Sequence, residues 1–220
     1  MNTSSLEYHL AEFKIAVSPD DPRRLQPALQ DNFASILDIG CGVGQGLLSL
    51  ELNDHVFACG ADIDEAALRH GKELAPGIHF VCTEGERLPL RDLSFDVVTS
   101  RVALPLMHLP KALAEIARVV KPGGQIWFSL HPWSTAYDWL IQAIRSISLK
   151  NTLYRLYVIV NGVCFHFVGR QFRFPLNRRR CESFQTVHGM RRAMNRAGFV
   201  EVRVVRQGPH FIVTAVKADC

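Results

Sequence analysis

A chain of 220 residues, 48% hydrophobic and 21% charged, is long enough for one domain with a full core. That composition excludes a disordered chain, and no run approaches the roughly 18 clean apolar residues of a membrane-spanning helix. The net charge of +4 conceals a split: residues 1–169 carry 14 Lys/Arg against 18 Asp/Glu, and residues 170–220 carry 11 against 3.

Residues 35–39 read as a short buried strand that runs into Gly40-Cys41-Gly42-Val43-Gly44. A helix is expected over 45–52, a strand over 55–61, a helix over 64–75 ended by Pro76-Gly77, and a strand over 78–82. Asp64 is placed to cap that second helix. A fourth strand follows at 95–99, where Asp96 is expected to order the strand entrance. A helix over 110–120 has Leu113, Ile116, Ala117 and Val120 at helical spacing, with Arg118 read as solvated or salt-bridged. Lys121-Pro122-Gly123-Gly124 breaks the helix before a fifth strand at 125–130.

From 131 to 184 the alternation stops. Residues 137–149 read as a helix. The apolar runs 156–160 and 163–168 flank Asn161-Gly162, a strong hairpin signal. The stretch reads as an insertion above the carboxyl end of the sheet, within a single domain over 1–220. The pattern then resumes with a helix at 186–197, stopped by Gly198, and strands at 199–205 and 210–216 joined tightly enough to be antiparallel. The expected fold class is α/β: a doubly wound, Rossmann-like, mostly parallel seven-stranded sheet with one antiparallel closing strand.

Six cysteines form no CxxC and no zinc-finger pattern, so no metal is expected. Cys59 and Cys82 sit in apolar runs and read as small core residues. The first residues lack a basic stretch followed by an apolar one, so a cytoplasmic protein with reduced thiols is the expectation.

The glycine loop carries the chemistry. Neither a dinucleotide GxGxxG nor a phosphate-binding GxxxxGK[ST] can be read from it. Asp38-Ile39-Gly40-Cys41-Gly42-Val43-Gly44 instead resembles the D-x-G-x-G-x-G loop of class I S-adenosylmethionine (SAM) methyltransferases. Four further segments fall in the family's order. They are Gly60-Ala61-Asp62-Ile63, Glu84-Gly85-Glu86-Arg87-Leu88-Pro89-Leu90, Ser94-Phe95-Asp96-Val97-Val98 and Arg118-Val119-Val120-Lys121-Pro122-Gly123-Gly124. Ala197-Gly198-Phe199 matches a last motif. The pattern is similar to that of the small-molecule group that includes the ubiquinone and menaquinone C-methyltransferases.

The resemblance implies SAM as cofactor, bound by Asp38, Gly40, Cys41, Gly42 and Gly44, by Asp62 and Ile63, by Glu84 and Gly85, and by Ser100. Asp62 would accept from the ribose hydroxyls, and Glu84 would face the adenine amino group from the place where the family usually has Asp. Backbone N–H groups and a helix N-terminus favour the carboxylate of the ligand.

The acceptor belongs beyond the carboxyl ends of strands four and five. His131 is the first candidate general base and His108 the second. Trp133, Arg101 and Tyr8 are candidate acceptor contacts, with His9 beside Tyr8 in a segment that folds over the site in this family. The [DNS]-P-P-[YF] motif of amino-methylating nucleic-acid enzymes is absent, and a small-molecule acceptor of apolar or anionic character is expected rather than DNA. Arg170, Arg173, Arg178, Arg179 and Arg180 leave three readings open: a solvated surface, contact with an anionic small molecule or membrane surface, or RNA. The rival functions are an RNA methyltransferase and a SAM-binding regulatory protein without turnover.

Overall fold

The computed structural model describes residues 5–21, 23–30, 32–177, 180–207 and 210–219. Arg178 and Arg179 lie outside the described residues. Seven strands build one sheet: β1 (Ser35–Ile39), β2 (Phe57–Asp62), β3 (His79–Cys82), β4 (Phe95–Arg101), β5 (Val120–Leu130), β6 (Phe199–Gln207) and β7 (His210–Lys217). Their order is β3-β2-β1-β4-β5-β7-β6, and β7 alone runs against its neighbours. The order reverses between β1 and β4, which opens a crevice at their carboxyl ends.

Every residue of β1 is buried, as a strand covered on both faces requires. Its alternate side chains feed two cores. Leu37 and Ile39 join Val98, Phe128 and Leu113 on one side, while Ile36 joins Leu47, Ala58 and Val97 on the other.

The helices are α1 (Ser5–Val17), α2 (Gln45–Leu48), α3 (Glu65–Leu74), α4 (Leu109–Val119), α5 (Trp133–Arg145), α6 (Leu149–Val168) and α7 (Val187–Arg196). Asp64 caps α3 by accepting from the N–H groups of Ala66 and Ala67. Asp96 accepts from Ala34 N–H at 3.0 Å, Ser35 Oγ at 2.7 Å and Lys121 Nζ at 2.7 Å, so it ties the openings of three strands together. Arg118 pairs with Asp92 and Glu115 and donates to the carbonyls of Leu88 and Leu90, which fastens α4 to the segment after β3.

Besides β5, which starts at Val120 and takes in the expected breaker Lys121-Pro122-Gly123-Gly124, the sequence and the structure part at four places. The expected hairpin over 156–168 is one continuous helix, α6. Asn161 and Gly162 lie buried in its middle rather than in a turn. The Asn161 amide donates to Glu182 O at 2.9 Å and accepts from Phe172 N–H at 2.9 Å. Gly162 makes room for the Phe184 ring, which would lie 2.3 Å from an added Cβ. Contacts with the 170–185 segment, distant in sequence, thus override the local turn preference.

The second difference is in α2, which has four residues instead of eight and is followed by the C-cap Ser49, whose hydroxyl donates to Gly46 O. Third, the helix expected at 137–149 starts four residues earlier and ends at Arg145. Fourth, Cys82 is exposed on β3, whereas Cys59 is buried as expected. The β3 edge of the sheet has no neighbour beyond it, which leaves Cys82 uncovered.

Candidate functional site

The sheet brings the glycine loop, the end of β2 and the ends of β4 and β5 to one rim. Gly40, Gly42 and Gly44 have φ of 74°, 56° and 84°, a left-handed path that a side chain would strain. The loop is already bonded within the protein. Gly40 and Cys41 N–H donate to Ala61 O, Val43 N–H to Gln45 Oε1, and Gly44 N–H to Cys41 O. Gly42 N–H donates to Asp62 Oδ2 at 2.8 Å, and Asp62 Oδ1 accepts from Asp64 N–H at 2.9 Å. Val43 N–H is thus held by a side chain and not by backbone. The four-residue α2 adds little macrodipole, so these N–H groups matter more than a helix end.

Asp38 is buried, accepts from Thr99 Oγ1 at 2.9 Å, and has its other oxygen against Gly46. Burial pushes its carboxyl up to about 6; the Thr99 bond and Arg101 pull it down, and Asp62 pushes it further up. Ile63 follows Asp62 with an apolar side chain 71% exposed, although Ala61 and Asp62 before it are buried. Glu84 is exposed, and Gly85 is buried against the Met107 sulfur.

Two expected cofactor contacts have side chains committed elsewhere. Cys41 points its thiol into the core beside Gly60, and Ser100 donates its hydroxyl to Ile39 O at 2.7 Å.

Helix α1 lies over this rim. Gly42 faces His9, whose Nδ1 would be 2.3 Å from an added Cβ and is buried with no hydrogen-bond partner. His9 Nε2 is 3.8 Å from Asp64 Oδ2. Glu12 reaches Arg101 Nη2 at 3.8 Å, and Arg101 Nη1 is buried without a partner.

A cavity of about 220 Å³ opens beside the ends of β4 and β5. Tyr8, Val102, Leu106, His131, Trp139 and Phe184 are part of its wall. His131 touches Trp139 edge to face at 5.3 Å and His210 at 5.2 Å between ring centres. Burial, helped by His210, lowers its imidazole to about 4, so it is neutral near pH 7. Burial first, then Glu12, raises the Tyr8 phenol, while Arg101 opposes them.

Trp133 does not line this cavity. It is 59% exposed and packs on Tyr137, one helical turn along α5, because α5 begins at Trp133 itself. His108 is not in the cavity wall either. It precedes α4 with its backbone N–H held by Glu86 Oε1 at 2.9 Å, and burial lowers its imidazole.

The sequence reading missed Trp139 and Glu182. Glu182 is buried in the wall, accepts from Tyr154 OH, and pairs with Arg155 at 3.0 Å. Arg155 also covers the Trp139 ring at 4.6 Å. A signal for Glu182 existed: it is the sole acid between residues 139 and 200, a stretch with 11 Lys/Arg.

The fold and the rim define a class. The chain has the class I SAM-dependent methyltransferase fold, and residues 37–128 match the family model described as a methyltransferase domain. Those residues run from β1 through most of β5. A solved SAM-dependent methyltransferase from Methanosarcina mazei superposes with a TM-score of 0.58 over 86% of this chain and 94% of its own, at 21% identity. A malonyl-[acyl-carrier protein] O-methyltransferase of Erwinia pyrifoliae is 36% identical over 108 residues, which are 49% of this chain and 41% of that protein. A phthiotriol/phenolphthiotriol dimycocerosates methyltransferase of Mycobacterium leprae is 31% identical over 140 residues, 58% of this chain and 52% of that one. The matches thus span about half the length of these curated relatives.

Proposed function

We propose that the protein transfers the methyl group of SAM to an O, C or N nucleophile of a small acceptor with an apolar body. One juxtaposition carries this reading. Tyr8 and His9 are consecutive on α1, and one walls the apolar cavity while the other lies on the glycine loop. A donor site and an acceptor site are therefore one side chain apart.

The residues at the loop fit the cofactor. The unpartnered Nδ1 of His9 lies where the aminocarboxylate would meet Gly42, and Asp38 is the buried anion nearest that loop. Asp62 would accept from the ribose hydroxyls, Ile63 would pack on the adenine, and Glu84 with Gly85 would meet the adenine edge. The cofactor supplies the electrophilic methyl group, so the protein mainly orients and desolvates the acceptor. His131 takes the proton that a hydroxyl or carbon acceptor must lose, and Trp139 and Phe184 hold the acceptor body. Neutral His131 and the Glu182–Arg155 pair leave the wall without a free cation, which favours an acceptor uncharged at its buried end.

Purified protein incubated with methyl-labelled SAM and an organic-solvent metabolite extract is expected to yield a labelled apolar product. Label found only in RNA, or no SAM binding by calorimetry, overturns the proposal.

The Asp38 carboxyl near 6 gives a pH signature. Its ionised form is the one that the ligand ammonium favours, so affinity is full above that pH and declines as Asp38 takes up a proton below it. SAM affinity should fall on acidification from about pH 7.5 to about pH 5, and Asp38→Asn should flatten that dependence. A wild-type affinity constant across that range contradicts the role.

A further inference from the structure

Helix α6 presents the wrong face to solvent for a surface helix. Leu149, Leu153, Leu156, Val160, Val163 and Phe167 recur at helical spacing and are all exposed. Its buried side holds Tyr157, Val158, Asn161 and Phe165. Helix α5, packed on α6 around Ala136 and Tyr157, repeats the arrangement with exposed Trp133, Tyr137 and Ile144. The turn between them exposes Ile147 at 92%.

Cations bracket this apolar surface. Arg145 and Lys150 are exposed at the α5–α6 turn. At the other end of α6, Arg170 is exposed after the Gly169 cap. There Arg192 donates to the carbonyls of Phe165, His166 and Phe167, and Arg196 lies beside Gly169. Asp138 is the one acid of α5 and α6, and Glu182, the sole acid between residues 139 and 200, is buried and paired.

We propose that the outer face of α5 and α6 docks on an anionic lipid bilayer, with the apolar stripe at the headgroup–acyl boundary and the cations on lipid phosphates. Charge selects this occupant. A second copy of the chain would set two cationic rims against each other with only Asp138 of α5 to offset them. A nucleic acid would leave the apolar centre against phosphate and water. No helix of the described residues is long and apolar enough to cross a membrane, so α6 lies on the bilayer instead of spanning it. The docking is independent of the acceptor's identity.

The test is co-sedimentation of the full chain with vesicles of phosphatidylcholine alone, or with phosphatidylserine added. Partition into the anionic vesicles should exceed that into neutral ones by about tenfold and fall with salt. The double variant Leu156→Glu/Phe167→Glu should lose about tenfold in partition at unchanged thermal midpoint, since both side chains are exposed. Arg145→Glu/Lys150→Glu, which leaves the apolar stripe intact, should lose it too. Three results overturn the docking: no partition into either vesicle, partition unaffected by both double variants, or a concentration-dependent dimer that Leu156→Glu/Phe167→Glu dissolves.

Discussion

Asp62→Ala is expected to weaken SAM binding about 100-fold, equivalent to about 3 kcal/mol. Two losses combine. The ribose hydroxyls lose a charged acceptor, and the N–H groups of Gly42 and Asp64 lose their partner within the loop. Calorimetry gives the affinity, and a thermal melt shows whether the loop alone or the whole fold has suffered. If the Ala variant does not fold, Asp62→Asn keeps the shape and one acceptor oxygen, and should still lose about tenfold. An affinity within about threefold of wild type in a folded variant would remove Asp62 from the cofactor site.

The second large effect belongs to His131. His131→Ala should lower kcat by about 10²- to 10⁴-fold while the SAM dissociation constant stays put, because the imidazole lies in the acceptor cavity and not on the loop. Its lowered pKa of about 4 sets the sign of the pH dependence. The base is already deprotonated at pH 6, so this group imposes no loss of rate between about pH 5 and pH 8. The acid limb that Asp38 produces should appear in SAM affinity and not in kcat at saturating SAM. A His131→Ala enzyme with wild-type kcat would reduce His131 to a packing partner of Trp139 and His210.

The backbone of the glycine loop and the Asp64 cap were legible because their signals are local. The Asp38–Gly44 loop takes the left-handed path that its glycines allow and Asp64 caps α3, both set by residues a few positions away, while Asp62 reaches Gly42 N–H across the β1–β2 pairing. The acceptor half was not, because its determinants are distant in sequence. Asn161-Gly162 is a turn signal by local rules, yet Phe184 and Glu182 O, about twenty residues on, decide its conformation. Trp133 and Trp139 look equivalent in a list of aromatics. Where α5 begins, and which of its faces meets Arg155, separates them. The commitment of Ser100 to Ile39 O needed the pairing of β1 with β4.

The buried amide of Asn161 has a consequence for how α6 is oriented. Tyr157 OH donates to Phe172 O at 2.8 Å and accepts from Asn161 Nδ2 at 3.2 Å, so two side chains one turn apart share a single polar latch. Hydrophobic burial alone would roll this helix about its axis until the leucine and valine row faced inward. Doing so would carry the amide and the phenol out to water and leave Phe172 O, Glu182 O and Phe172 N–H behind without partners, at about 1–3 kcal/mol for each buried unpaired group. Three directed bonds thus act as a rotational stop, holding the greasy row outside against the force that drives the rest of the chain to fold.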